Sequence, residues 1–341
     1  MTRRVPREGR NGCRAPAVPA VLRQAARAAA LAVVLVAAGL GFGVAPPAKA
    51  GTPRFVTVGT ASPAGAYYPL GVAMADLWNR SIPGVQFMAR ETGGGVANMN
   101  LLASGQIEVG IANENIAYDA IKGNAPFNRP IAVAGGWVLN QSMGVFVALQ
   151  GRGLRSVEDL RGKRVSLGSP GSASNVLGVL VLESQGVPRN AIQPVYLGWQ
   201  ESADALKDGL IDAAFMVGGQ PFPAIQSLAA RARVTLLSFD GARFRASSTY
   251  PYVTGKIPRA MYNLDQDGDA VVVRSIVYLR PDLPEELVYR MVQVVFANIP
   301  TLRAAHPSGD EAALLSQADA REISLTVHPG VVRYAVEQGK W

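Results

Sequence analysis

The chain has 341 residues, 49% of them hydrophobic, which is enough to bury one substantial core and, at this length, a second. Its formal net charge of +8 sits almost wholly at the N-terminus: residues 1–50 carry eight basic side chains and one acid, leaving 25 basic against 24 acidic residues beyond them. A polyanion-binding surface is thereby excluded, so no nucleic-acid partner is expected, and thiol chemistry past residue 50 is excluded because the single cysteine is Cys13.

Residues 1–50 read as a secretory signal peptide: an arginine-rich start, an uncharged run from Ala28 to Val44, and the small-residue site Ala48-Lys49-Ala50, with cleavage expected after Ala50. The run is rich in Ala, Gly and Val and falls short of the ~20 strongly apolar residues of a stable membrane span. Cys13 precedes that run and so cannot carry a lipid at the mature terminus.

From Arg54 onward, short β-rich runs alternate with helical stretches, the pattern of an α/β fold built on mainly parallel sheets. Strands are predicted over Phe55–Gly59, Val85–Arg90 and Glu108–Ala112, with helices over Gly65–Asn79 and Gly94–Ser104 between them. Two separate apolar runs follow, Ile131–Val138 and Gly144–Leu149. After Gly151-Arg152-Gly153 the pattern restarts with a short helix capped by Ser156 and ended by Gly162, then a strand at Val165. Further strands are read at Ile192–Tyr196, Ile211–Val217, Arg233–Phe239 and Ala270–Leu279, and helices at Pro284–Asn298, Asp310–Ala318 and Gly330–Gln338. Leu102–Ile111 and Leu206–Phe215 share a helix end, a glycine cap, an aliphatic, an acid and a strand, which favours two similar lobes. The division that results is 51–149 for the first lobe, 150–268 for the second, and 269–341 for a return strand and C-terminal helices lying largely on the first.

The catalytic inventory is thin. With two histidines, His306 and His328, no three-histidine metal site can form, and the nucleophile elbow, the dinucleotide fingerprint and the phosphate-loop lysine motif are all missing. Each histidine precedes proline and reads as a surface or turn residue. The chain is therefore read as a non-enzyme with no cofactor and no metal.

What it does carry is glycine-rich, hydroxyl-bearing segments where strands give way to helices: Gly59–Gly71, Glu91–Asn98 and Gly168–Asn175. The first turn of a helix leaves N–H groups unpaired and partially positive, so such junctions receive a small anion without arginine. Glycine lets the guest approach the backbone, and Thr92, Ser169 and Ser172 add hydroxyls. Of Tyr67 and Tyr68, adjacent on a helix, one is expected to face the cleft and the other to pack. Arg90 and Arg164 are candidates for a carboxylate clamp.

At these segments the sequence resembles the TAXI family of TRAP-transporter solute-binding proteins. The resemblance rests on G-T-A-S-P-A-G-A-Y-Y-P-L-G (Gly59–Gly71), T-G-G-G-V-A-N-M (Thr92–Met99), Gly168-Ser169-Pro170-Gly171-Ser172, Gly218-Gly219-Gln220-Pro221 and His328–Tyr334, in the expected order across nearly all of the chain past residue 50. It implies a two-lobed periplasmic binding protein of type II with a hinge of two crossing strands, exported to the periplasm and delivering a small organic anion or amino acid to TRAP-type membrane permease subunits. A ligand sensor signalling to a membrane kinase is the alternative role. The positions it marks as ligand-facing, with the neighbours that share their loops, are Thr60, Ser62, Tyr67, Tyr68, Thr92, Gly93, Gly94, Asn98, Asn113, Asn115, Ser169, Gly171, Ser172, Ala173, Gly218 and Gly219. Three departures bear on the ligand: Asn113-Glu114-Asn115 stands where many members have Gln-Ser-Asp, Gly95 replaces a serine, and Met261–Asp265 replaces a Thr-Tyr-Pro-Gly. A carboxylate at Glu114 disfavours an acidic guest unless it points away or binds a cation or a ligand amine.

Overall fold

The computed structural model describes residues 54–341, so the signal peptide read from residues 1–50 lies outside the described residues. The chain past them begins with β1 (Arg54–Gly59), α1 (Tyr67–Ser81), β2 (Val85–Arg90), α2 (Gly95–Ala103), β3 (Val109–Asn113) and α3 (Glu114–Lys122). A 16-residue strand, β4 (Ala134–Leu149), leads to a second run of the same kind: β5 (Arg164–Ser166), α4 (Ala173–Ser184), β6 (Gln193–Val195), α5 (Trp199–Lys207), β7 (Ala213–Gly219), α6 (Pro223–Ala229) and β8 (Val234–Leu236). The chain returns through α7 (Gly241–Ala246), β9 (Val253–Ile257) and the 12-residue β10 (Gly268–Leu279), and ends with α8 (Glu285–Phe296), α9 (Ile299–Ala305), β11 (Ala313–Leu314), α10 (Gln317–Glu322) and α11 (Pro329–Glu337).

Strand pairing organises these elements into two halves with one plan. In the first the order is β2-β1-β3-β10-β4, the first three parallel and β10 antiparallel to β3 and β4. In the second it is β6-β5-β7-β4-β8, again with three parallel strands and β4 antiparallel to both neighbours. The matched segments Leu102–Ile111 and Leu206–Phe215 occupy equivalent places, each running from a helix end into the third strand of its half.

Both halves share β4 and β10. The first part of β4 pairs with β10 and β11, and residues 142–148 pair with β7; β10 meets β9 through residues 268–272 and β3 through residues 275–279. The two apolar runs expected over 131–149 are thus one strand from Ala134. The polar stretch Asn140-Gln141-Ser142 that separates them in sequence is the crossing point, where Asn140 and Ser142 are buried and hydrogen-bonded.

Two clusters form the core. Trp78 of α1 packs edge-on against Trp137 of β4, 6.2 Å between centroids, and its indole N–H donates to the Met291 carbonyl at 2.9 Å, which ties α1 to α8. In the second half Met216, Phe222 and Ile225 are fully buried in a smaller cluster. The helix expected over Asp310–Ala318 does not form. Pro307–Glu311 is a 3₁₀ turn, Ala313–Leu314 adds to β4, and the Glu311 carboxylate accepts from the Gln141 N–H at 2.6 Å. Neither histidine is at the surface. Both are buried turn caps: Nδ1 of His306 accepts from the Ser308 N–H and Nδ1 of His328 from the Gly330 N–H, each at 3.2 Å. Burial lowers both pKa values. Among the described residues no helix is long and apolar enough to cross a membrane.

Candidate functional site

In the first half, the junction after β1 is a closed set of hydrogen bonds around Asn98, the fourth residue of α2. Its amide donates to the carbonyls of Gly59 (3.1 Å), Thr60 (2.7 Å) and Ile111 (2.8 Å), and its Oδ1 lies 2.7 Å from Thr92 Oγ1. Thr92 also bonds the Thr60 carbonyl at 2.9 Å and accepts from the Gly94 N–H at 3.1 Å; Thr60 Oγ1 donates to the Arg90 carbonyl at 2.7 Å. Glycine at 59 is what lets Asn98 in, since a Cβ there would stand 2.6 Å from Asn98 Oδ1. Thr60, Thr92 and Asn98 therefore hold β1, β2 and the start of α2 in register, while exposed Gly93 and buried Gly94 form the lip beside them.

The second half has the matching junction. Ser172 caps α4 by accepting from the Asn175 N–H at 3.3 Å, the Ser169 carbonyl accepts from the Ser172 N–H at 3.1 Å, and Ala173 opens the helix, buried. Ser202, the fourth residue of α5, reaches Ser166 at the end of β5, Oγ to Oγ 2.7 Å. Ser174 Oγ accepts from the Trp199 indole N–H at 3.1 Å and from the Val217 N–H at 3.3 Å.

These two junctions face and touch each other. The Ala97 N–H in α2 donates to the Gly171 carbonyl at 3.3 Å, and a Cβ added to Gly94 would lie 3.8 Å from the Ser172 Cα. Asn115 Nδ2 donates to the Tyr252 hydroxyl at 3.2 Å, and the rings of Tyr118 and Tyr250 meet edge to face with centroids 5.4 Å apart. Beneath the contact, where β4 and β10 cross, Ser275 Oγ gathers Tyr67 OH (2.8 Å), Ser142 Oγ (2.6 Å) and Asn113 Nδ2 (3.2 Å). Burial pushes the Tyr67 hydroxyl up to about 12, so it stays neutral. Gly219, at the end of β7, is wedged against Ser308 and Ala66, whose atoms lie 2.5 and 3.0 Å from where its Cβ would be.

The Glu114 carboxylate is paired. It is buried and accepts from Arg274 twice, from the guanidinium Nε at 2.5 Å and from the backbone N–H at 2.9 Å; Arg274 also reaches Asp319 and, at 3.2 Å, Glu322. Burial alone would raise Asp319, but its bonds to Ser316 and Arg274 hold it below the usual carboxylate range. Desolvation first, and the Glu114 charge among the further causes, push the Tyr250 and Tyr252 hydroxyls well up.

Of the residues singled out from sequence, Thr60, Thr92, Asn98, Gly93, Gly94, Ser169, Gly171, Ser172 and Ala173 come together at the facing junctions, and Tyr67, Asn113, Gly218 and Gly219 at the crossing below. Asn115 stands beside Tyr252. Ser62 is half-buried and accepts from the Ala64 N–H at 3.3 Å; Tyr68 is half-buried beside fully engaged Tyr67. Arg164 is not at the site: it begins β5, the opposite end from the junction, and makes a two-pronged pair with Asp212, Nη2–Oδ1 2.8 Å and Nε–Oδ2 3.1 Å. Arg90 ends β2, exposed. Sequence reading passed over Trp199, Ser142, Ser275, Tyr252 and Arg274. The internal repeat holds the signal for the first, because Gly198-Trp199 follows β6 as Gly94-Gly95 follows β2. A cavity of about 680 Å³ lies elsewhere, bordered by Gln150, Arg155, Ser238 and Asp265 at the far ends of β4 and β8, with Asp265 already paired to Arg233.

Solved structures share this architecture at low sequence identity. A protein of Bordetella bronchiseptica RB50 matches with a TM-score of 0.54 and 12% identity, over 84% of this chain and 98% of its own. A Listeria monocytogenes protein described as an L-cystine ABC transporter gives 0.50 and 15%, over 76% and 98%. A Xanthomonas citri protein bound to ATP gives 0.50 and 12%, over 83% and 98%. The likeness is one of fold, the two-lobed α/β fold of periplasmic binding proteins, with β4 and β10 as its crossing strands. The model of the NMT1-like family matches residues 58–339, and the chain belongs to that family.

Proposed function

We propose that this protein is the extracytoplasmic solute-binding component of a TRAP-type transporter of the TAXI kind, which holds a small organic anion or amino acid between its two lobes and hands it to an ion-gradient-driven permease. The lobes are residues 51–149 and 150–268, with 269–341 returning to the first. The observation that carries the reading is the meeting of two strand-to-helix junctions, one from each half, at the Ala97–Gly171 hydrogen bond of 3.3 Å. There the N-termini of α2 and α4, of nine and twelve residues, bring their first turns and the partial positive charge of both helices to one place. In open α/β sheets ligands bind beyond the carboxyl ends of the strands, where these junctions lie.

The polar groups divide into two tiers. Gly93, Gly94, Ser169, Gly171 and Ser172 present backbone and hydroxyl groups to the solute, whereas Asn98, Thr60 and Thr92 set the backbone that does so. Pairing of Glu114 with Arg274 removes its objection to an acidic guest. The TRAP assignment rests on the run of motifs from Gly59 to Tyr334; the Listeria neighbour's description names an ABC system instead. Export to the periplasm follows from the arginine-rich, apolar, Ala-Lys-Ala start.

The test is mass spectrometry of small molecules released from natively purified protein, followed by thermal unfolding with each candidate. A solute at about a hundred times its dissociation constant should add roughly 2.7 kcal/mol, a rise of several degrees in Tm. A protein that releases nothing and gains no stability from acids, amino acids or their mixtures is not a solute carrier.

A further inference from the structure

We infer that Trp199 and Gly65 form the contact that permits the two lobes to shut, with Trp199 as a positioning residue for capture. The inference rests on the reading of the molecule as a clamp around a solute. Trp199 is the first residue of α5 in the second half, and Gly65 lies in the loop between β1 and α1 in the first. The indole ring lies directly on the glycine: a Cβ at position 65 would stand 2.8 Å from Trp199 Cε3 and 3.0 Å from Cη2, well inside the separation that carbon atoms tolerate. No side chain fits at 65 while the ring is in place.

The ring cannot readily turn aside. Its N–H donates to Ser174 Oγ at 3.1 Å, and Ser174 is fully buried in the first turn of α4. Phe222 packs edge-on against it with centroids 5.1 Å apart. The base of the helix is fixed as well, since the Glu201 carboxylate accepts from the Gly198 N–H at 2.8 Å. Ring, helix start and the Ser169–Ser174 loop thus form one unit, and Gly65 is the flat seat it closes on. Because Gly65 has an ordinary φ, its lack of a side chain answers to the ring above it and not to the backbone.

Disulfide trapping of the shut form tests this without any solute. In the full chain carrying Cys13→Ser, Ala97→Cys and Gly171→Cys place two Cβ atoms about 4.0 Å apart when shut, within the range a disulfide spans. The rate of thiol loss under a mild oxidant then follows the shut population. Adding Gly65→Val should slow trapping about tenfold or more, and adding Trp199→Ala to that variant should bring the rate back near the parent's. An unchanged rate in Gly65→Val overturns the inference, and so does a slow variant that Trp199→Ala fails to restore, because the obstruction would then not run through the ring. Position 171 has φ +79°, which disfavours a side chain, so a parent that never traps overturns the inference when Gly171→Ala alone leaves the unfolding temperature unchanged. Mass spectrometry of bound solute is independent of these rates, so a chain that traps as expected yet carries no solute loses the capture reading and keeps the latch.

Discussion

The two halves solve one problem with different residues. In each, the fourth residue of the second helix must tie that helix to the end of the first strand. The first half uses a bare strand end and a long amide, Gly59 with Asn98; the second uses two short hydroxyls, Ser166 with Ser202. Side-chain volume has moved from one partner to the other, and the number of bonds has changed with it. Asn98 serves three carbonyls and Thr92, whereas Ser202 has one close partner and the Leu197 carbonyl at 3.5 Å. The first half is the more tightly determined face, and the second has more freedom to adjust its helix start.

The same asymmetry recurs at the next junction. Glu114 opens α3 and is locked to Arg274 of β10, while Pro223 opens α6 in the equivalent place and offers no charge. Arg274→Met should therefore be the most damaging change, at about 3–5 kcal/mol, because it leaves a buried carboxylate without its partner. Urea denaturation measures it, and a loss under about 1 kcal/mol would show the pair to be replaceable by solvent. Asn98→Ala should follow at roughly 3 kcal/mol, since it strips several buried carbonyls of their donor, whereas Ser202→Ala should lose about 1 kcal/mol. Equal losses in the two would erase the contrast between the halves. The double change Gly59→Ser with Asn98→Ser, which installs the second half's solution in the first, should recover about 1 kcal/mol relative to Asn98→Ala. If it recovers nothing, the two junctions are alike in topology only.

The smallest effect is that of pH. The buried imidazoles of His306 and His328 have folded-state pKa values lowered from the ordinary 6.5 by desolvation. The unfolded chain therefore binds more protons, so their contribution is fully present above about pH 6.5 and declines as pH falls from there toward the lowered value. His328→Gln should flatten the slope of Tm against pH below about pH 6.5 while lowering Tm at neutral pH. An unaltered slope would place the acid sensitivity elsewhere.

Much of the plan could be read from the residues, because alternating strands, glycine caps and capping serines are local signals. The repeat of Gly-aliphatic-acid at Gly105–Glu108 and Gly209–Asp212 marked equivalent helix-to-strand turns that pairing places at the third strand of each half. What the sequence concealed was long-range. A polar break at Asn140-Gln141-Ser142 reads as a loop, and only the Ser275 hydroxyl 133 residues away from Ser142 explains why it can be buried within a strand. Likewise nothing local to Glu114 reveals Arg274, and Trp199 looks like one more helix residue until Gly65 lies beneath it. The histidines show the converse: the His-Pro steps do mark turns, but burial by α8 and β7 neighbours is invisible from the dipeptide.

The lending of strands between halves has a consequence for how the chain is assembled. A polypeptide that emerges N-terminus first has all five strands of the order β6-β5-β7-β4-β8 once residue 236 is out, because β4 has already been made, and lacks only the later pairing of β9 with β10. The first half is made earlier but must wait for residues 275–279, and until they arrive β3 has a bare edge open to any passing strand. The oldest part of the nascent molecule is thus the last to be finished, and a chain halted after residue 268 would expose that edge permanently.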